Sequence, residues 1–169
     1  METLRFRHAH FSARFPVAVR YTAAHFWLAP ADGAAATADH RGPWRVGFTK
    51  FATRMLGELV EMVIDVPPGT AVRGGDRLGT VEGFKAVSDL FSAMDGTFRA
   101  ANDGLTAEAC LTHSDPYGAG WLYLVEGVPA AGSLDVHGYV ALLAETIDRL
   151  QASRYSDSGG VPPSEEPDR

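Results

Sequence analysis

The chain has 169 residues, with 46% hydrophobic and 21% charged residues and a formal net charge of −6. That is enough for one domain with a proper core, in the composition of a globular protein. The acidic balance argues against nucleic acid as the main partner, and no apolar run approaches the length of a membrane span.

Residues 1–20 are basic and aromatic, with Arg5, Arg7, Arg14 and Arg20 set against Glu2. They lack an apolar h-region and so do not read as a secretory signal. The basic character fits a mitochondrial-type transit segment. The alternation of Leu4, Phe6 and His8 with Arg5 and Arg7 also fits an extra strand or an ordered arm. His8 and His10 have no third ligand nearby in sequence, and the pair predicts no metal site.

Residues 17–28 read as one or two strands, and 29–43 as a Pro/Gly-containing loop. A short strand is predicted over 44–48. Thr49 is placed to cap a helix running to Leu56, with Gly57 ending it. Residues 58–66 read as a strand with Leu59, Met62 and Ile64 on its inner face, followed by a turn at 67–70.

Two strand-like runs, 79–81 and 86–87, bracket one lysine, Lys85. Gly83 is expected to give the tip of this hairpin its backbone freedom, and the lysine is expected to point into solvent with no packing to hold it. Such a side chain suits modification by another protein. A weak internal repeat flanks the hairpin: 69–73 and 96–100 each follow a turn and lead towards Leu78 or Leu105, as two similar half-sheets around a central hairpin would.

A helix is predicted over 105–111, with Cys110 as a small core residue. This one cysteine has no partner for an internal disulfide, which fits a reducing compartment and leaves no cysteine-based metal cage. His113, Ser114 and Asp115 are adjacent, and neighbours in one loop seldom converge as a triad. Asp115-Pro116-Tyr117-Gly118 reads instead as a turn before Trp121. A closing strand is predicted over 121–125. The spacing of Val136, Tyr139, Val140, Leu143, Ile147 and Leu150 predicts an amphipathic helix over 136–155, packed on the β-structure. Residues 156–169 are rich in Ser, Gly, Pro and acid, and are expected to be disordered.

The lysine segment, Glu82-Gly83-Phe84-Lys85-Ala86-Val87-Ser88-Asp89, resembles the lipoyl-attachment site of the glycine cleavage system H-protein family, Glu-Ser-Val-Lys-Ala-x-Ser-Asp. Phe84 and Ala86 speak against a biotin carrier, which has methionine on both sides of its lysine. The resemblance extends upstream to Tyr21-Thr22-Ala23-Ala24-His25-Phe26-Trp27, similar to Tyr-x-x-x-His-Glu-Trp. Val46-Gly47-Phe48-Thr49 and Leu56-Gly57-Glu58-Leu59-Val60 follow in family order, and Asp115-Pro116-Tyr117-Gly118-Ala119-Gly120-Trp121 is close to Asp-Pro-Tyr-Gly-x-Gly-Trp.

The resemblance implies a mainly β lipoyl domain over 21–152, a flattened barrel or barrel-sandwich hybrid with a short helix and a C-terminal amphipathic helix. Residues 1–20 would be an N-terminal extension and 153–169 a disordered tail. It implies lipoate covalently bound as lipoyl-Lys85, with Glu82, Gly83, Phe84, Ala86, Ser88 and Asp89 recognised by the attaching enzyme. Ala24, His25, Phe26 and Asp89 would line the cleft that shelters the arm. It further implies a carrier and not an enzyme, located in the cytoplasm, or in the mitochondrial matrix of a eukaryotic host. The implied partners are glycine decarboxylase with pyridoxal phosphate, a tetrahydrofolate-dependent aminomethyltransferase, dihydrolipoyl dehydrogenase and a lipoate-attaching enzyme.

The chain departs from the family at Phe26, where the pattern has an acid, and at the nearby Ala24. An aminomethyl cargo carries an ammonium, and losing one charged hydrogen bond to it would cost about 1.5–3 kcal/mol. A more apolar cleft favours a neutral or sulfur-bearing cargo, as in H-like lipoate-binding proteins of sulfur oxidation. Gly83-Phe84 in place of Ser-Val beside the lysine suits a dedicated partner or ligase, or an unmodified interaction module.

Overall fold

A computed structural model describes residues 1–157; of the disordered tail expected over 153–169, residues 153–157 instead continue the C-terminal helix, and 158–169 lie outside the described residues. The chain opens with a hairpin of β1 (Thr3–His8) and β2 (Phe11–Pro16), in which Leu4 faces Phe15 and Phe6 faces Ala13. The alternation in the basic stretch is therefore that of a strand. Next come β3 (Arg20–Tyr21), β4 (Phe26–Pro30) and β5 (Gly42–Phe48).

Helix α1 (Lys50–Leu56) is capped as its sequence dictates. The Thr49 hydroxyl accepts from the Ala52 amide at 3.4 Å, and Gly57, at φ 79°, donates its N–H to the Thr53 carbonyl. Then follow β6 (Leu59–Ile64), β7 (Ala71–Val72), β8 (Arg77–Gly83), β9 (Val87–Phe91) and β10 (Asp95–Ala101). The chain continues through α2 (Gly104–Ala107), α3 (Leu111–Ser114), β11 (Tyr123–Val128) and α4 (Val136–Asp157).

A six-stranded sheet in the order β3-β4-β5-β11-β10-β7 faces a three-stranded sheet in the order β6-β8-β9. Between them lies a core to which the larger sheet gives Phe26, Leu28, Trp44, Val46, Phe98 and Val125. The smaller sheet gives Leu59, Leu78, Val81 and Leu90. A bulge between Leu59 and Glu61 leaves Val60 and Glu61 exposed, so Leu59, Met62 and Ile64 all turn inward as expected.

A second core covers the opposite face of the larger sheet. Side chains alternate along β4, so Phe26 and Leu28 enter the first core while Trp27 enters the second. Gly47 stands opposite Trp27, and a Cβ there would come within 2.5 Å of the indole. Phe15 from β2, Tyr21, Phe51 from α1, and Val136, Tyr139, Leu143 and Ile147 from α4 complete this core. The terminal hairpin and the C-terminal helix thus pack together under α1. The apolar face of α4 is the expected one, except that Leu150 stays 37% exposed.

Four further expectations are corrected. The segment 105–111 is not one helix: α2 ends at Ala107, and α3 begins only at Leu111. Cys110 sits in the break between them and is exposed rather than buried in the core. The two copies of the weak repeat do not build separate half-sheets. β7 pairs directly with β10, Ala71 facing Thr97, and the copies lead into different elements, a strand at Leu78 and a helix at Leu105. Finally, Gly83 is not in the hairpin tip but ends β8.

Candidate functional site

Strands β8 and β9 form the expected hairpin, Glu82 facing Val87, with Phe84, Lys85 and Ala86 as its tip. The Gly83 amide donates to the Ala86 carbonyl at 2.9 Å and closes the turn. The tip does not hang free. The amide of Phe84 donates to the Glu58 carbonyl at 3.0 Å, and the amide of Lys85 donates to the Leu56 carbonyl at 3.0 Å. The Lys85 ammonium also donates to the Arg54 carbonyl at 3.1 Å. Helix carbonyls at a C-terminus lack partners within the helix and carry the negative end of its dipole. Lys85 therefore caps α1 with both its backbone and its side chain, although the side chain stays exposed.

This docking explains two glycines. A Cβ on Gly83 would collide with the Leu56 carbonyl oxygen, and one on Gly57 would stand 2.9 Å from the Lys85 amide nitrogen. Gly83 thus serves close approach between hairpin and helix rather than backbone freedom, and Gly57 serves both the helix end and the lysine.

Beside the tip lies a cleft of about 410 Å³. One wall is Ala24, His25 and Phe26; a second is Phe51, Ala52, Met55 and Leu56 of α1; the hairpin supplies Val81, Ala86, Ser88, Asp89 and Phe91; and Phe48 completes it. The structure thus brings together Ala24, His25, Phe26 and Asp89 with the attachment-segment residues Ala86 and Ser88. Glu82 and Phe84 are exposed, Phe84 by 76%, and do not line the cleft. A cavity of similar volume under β6 and α2 contains no residue of the lysine hairpin.

The cleft is apolar at the position where the family pattern carries an acid. Phe26 is buried and stacks on Phe48 with ring centroids 5.5 Å apart. Asp89 shares its charge with Arg77, whose guanidinium donates to Asp89 at 3.2 Å and to Asp65 at 2.7 Å. His25 adopts a left-handed φ of 68°, which costs a non-glycine residue on the order of 1–3 kcal/mol. Its backbone is held by its N–H on Thr22 and by the Thr49 amide on its carbonyl, each at 3.0 Å. Burial lowers its pKa to about 4, so the ring is neutral at pH 7. Its Nδ1 lies 2.9 Å from the Tyr139 hydroxyl, which in turn lies 2.8 Å from the Thr49 hydroxyl.

Sequence reasoning missed the α1 wall, Arg77, and the Thr49–Tyr139 pair behind His25. Phe51 and Met55 carried a weak signal, being spaced four apart on a short helix next to the quoted motifs. Arg77 and Tyr139 carried none, because their partners are remote in sequence.

Against known proteins, the chain matches the family described as glycine cleavage H-protein over residues 19–135. The glycine cleavage system H protein of Micrococcus luteus is 40% identical over 130 residues, covering 75% of this chain and 94% of that relative. The one from Chlorobium phaeobacteroides is 41% identical over 108 residues, covering 64% of this chain and 78% of the relative. A crystal structure of a glycine cleavage system H protein from Mycobacterium marinum superposes with a TM-score of 0.64 at 36% identity, covering 75% of this chain and 97% of that one. With its facing sheets, its lysine hairpin and these matches, the chain belongs to the glycine cleavage H-protein family.

Proposed function

We propose that this chain is the lipoyl-carrying H protein of a glycine cleavage system, with lipoate joined by an amide to the Nζ of Lys85. What carries the reading is a conjunction: in a member of this family, one exposed lysine sits on a hairpin tip fixed to α1, next to an apolar cleft. When bound, the lipoyl group supplies a disulfide that accepts two electrons and a thiol that takes up a one-carbon amine.

The chain's own residues then have three tasks. The two backbone hydrogen bonds from Phe84 and Lys85 to the end of α1 hold the attachment point in place. Acylation removes the ammonium charge at Nζ, and Arg54 loses a charged donor at the surface, where such bonds contribute little. Phe26, Phe48, Phe51 and Met55 give the group an apolar wall that excludes water from one side. No general base is required of the chain, which acts as a substrate of its partners. Those partners are glycine decarboxylase, aminomethyltransferase, dihydrolipoyl dehydrogenase and a lipoate-attaching enzyme, in the cytoplasm or a mitochondrial matrix. Among the described residues no helix is long and apolar enough to cross a membrane.

The test is the intact mass of the protein purified from its own host, with mapping of the peptide that holds Lys85. One lipoyl increment on Lys85, absent in Lys85→Arg, is the expected result. A bare lysine from lipoate-replete cells would sink the reading and favour an unmodified interaction module.

Phe26 favours a second reading, an H-like lipoate-binding carrier of another pathway such as sulfur oxidation or lipoate relay. Exchange of labelled bicarbonate into glycine, with the decarboxylase and pyridoxal phosphate, separates the two. The glycine cleavage carrier supports exchange and the alternative does not.

A further inference from the structure

The hydroxyl protons behind the cleft can be placed one by one. Thr49 and Tyr139 are fully buried. The Thr49 oxygen accepts from the Ala52 amide, so its own proton has one acceptor among the described residues, the Tyr139 oxygen at 2.8 Å. The Tyr139 proton then goes to Nδ1 of His25 at 2.9 Å. Nδ1 is thus an acceptor, and the neutral ring carries its proton on Nε2. The opposite order, from Nδ1–H through Tyr139 to Thr49, would leave the buried Thr49 proton with no acceptor among the described residues. The Nε2–H makes no hydrogen bond to a described residue, and His25 lines the cleft.

We propose that this cleft selects for the uncharged arm: the Nε2–H of His25 serves as a donor to an acceptor atom of the lipoyl group, and the ammonium of an aminomethylated arm is excluded. This rests on the reading of Lys85 as the lipoyl site. An ammonium leaving water needs acceptors, and the inner wall offers it Ala24, a histidine N–H and three phenylalanine rings. The side-chain oxygens that line the cleft are those of Ser88 and Asp89, at the hairpin edge. Asp89 is half exposed and shared with Arg77, and the exposed Ser88 donates its hydroxyl proton to the Asp89 carbonyl. A carboxylate so exposed and already paired holds an ammonium weakly. A neutral disulfide or thioether has the opposite needs, an apolar wall and one donor. The resting arm is then sheltered, and the loaded arm stays in solvent for delivery.

The test uses the full chain, lipoylated on Lys85. Reduction gives a free thiol, and formaldehyde with ammonium converts it to the aminomethyl thioether. A carbon–sulfur and a carbon–nitrogen bond form, and one water leaves for each thiol, formaldehyde and ammonium consumed. Two readouts follow. Imidazole nitrogen shifts of His25 report the tautomer, and the half-life for formaldehyde release reports protection of the loaded arm.

The expected result is a proton on Nε2. The oxidised arm should shift Nε2 and the Met55 methyl relative to unmodified protein, while the aminomethylated arm should not. Formaldehyde release should run within about twofold of the same adduct on free dihydrolipoamide. Release tenfold or more slower than the free adduct, or a proton on Nδ1, overturns the proposal. Phe26→Glu should slow release about tenfold if it folds, but the wild-type comparison decides without it. A missing lipoyl increment in the mass would overturn the carrier reading instead, and the ring-nitrogen shifts of the unmodified protein still test the placement of the His25 proton.

Discussion

Gly83 lies directly against the carbonyl of Leu56, with no room between them for a side-chain carbon. The lysine hairpin and the end of α1 are therefore one unit, joined also by the amides of Phe84 and Lys85. Gly83→Ser, which restores the residue of the family pattern, must push the two apart. Overpacking of this kind costs about 1–3 kcal/mol. Urea unfolding of the variant should show a loss in that range, together with reduced lipoylation of Lys85. A change below about 0.5 kcal/mol would mean that hairpin and helix separate easily.

Two phenylalanines flank the site and should behave oppositely. Phe26 is 4% exposed and stacked on Phe48, whereas Phe84 is 76% exposed. Truncating a buried phenylalanine costs about 3–5 kcal/mol, and a surface substitution stays within about 0.5 kcal/mol. Phe26→Ala should lower the unfolding free energy by the first amount and Phe84→Ala by the second. A Phe84→Ala variant of full stability that is nevertheless lipoylated more slowly would place Phe84 in the docking surface of the attaching enzyme.

Most of the β-structure was legible because its signals are local. Thr49 and Gly57 frame α1 by capping chemistry, residues 17–28 read as one or two strands, and the lysine hairpin is bracketed by strand-like runs. What was not legible depends on distant contacts. The role of Gly83 is set by Leu56 on a helix far back in the chain. Asp89 was expected only to line the cleft, and its pairing with Arg77, twelve residues back, has no local signal. Cys110 looked apolar in a helical run, but its neighbours form two separate turns that leave it in solvent. Phe26 and Ala24 pointed in sequence to a more apolar cleft; the wall that α1 adds to it with Phe51, Ala52, Met55 and Leu56 depends on how the helix is placed.

The neutral state of His25 links stability to pH. Its pKa falls from 6.5 unfolded to about 4 folded, through burial. A depressed histidine binds its proton more readily when unfolded, so its contribution is whole above pH 6.5 and is lost as pH falls towards 4. The slope from this one group is at most about 1.4 kcal/mol per pH unit. Carboxylates titrate in the same window, so the measurement is a difference. The unfolding free energies of wild type and His25→Gln should be followed from pH 7 to pH 4, and the gap between them should change in favour of the variant as pH falls. A constant gap would show that the ring titrates alike in both states.

Tyr139 connects the C-terminal helix to the cleft through its hydroxyl and through an edge contact of its ring with the His25 ring, centroids 5.8 Å apart. Its ring stacks on Tyr21 at 4.6 Å, and that contact survives in Tyr139→Phe. The lost oxygen leaves the proton of the fully buried Thr49 hydroxyl without an acceptor, and the Nδ1 of His25 without its donor, among the described residues, although the Thr49 oxygen still accepts from the Ala52 amide. An unpaired buried polar group costs about 1–3 kcal/mol. The variant should lose that much stability with α4 still in place, as read by an unchanged helical circular-dichroism signal before melting. It should also free the His25 ring to redistribute its proton between the two nitrogens, which the imidazole nitrogen shifts would record. Lipoylation should be unaffected, because Lys85 is held by the other end of α1. If stability falls but the ring shifts stay those of wild type, the histidine takes its tautomer from elsewhere, and the tie between α4 and the cleft is one of packing alone.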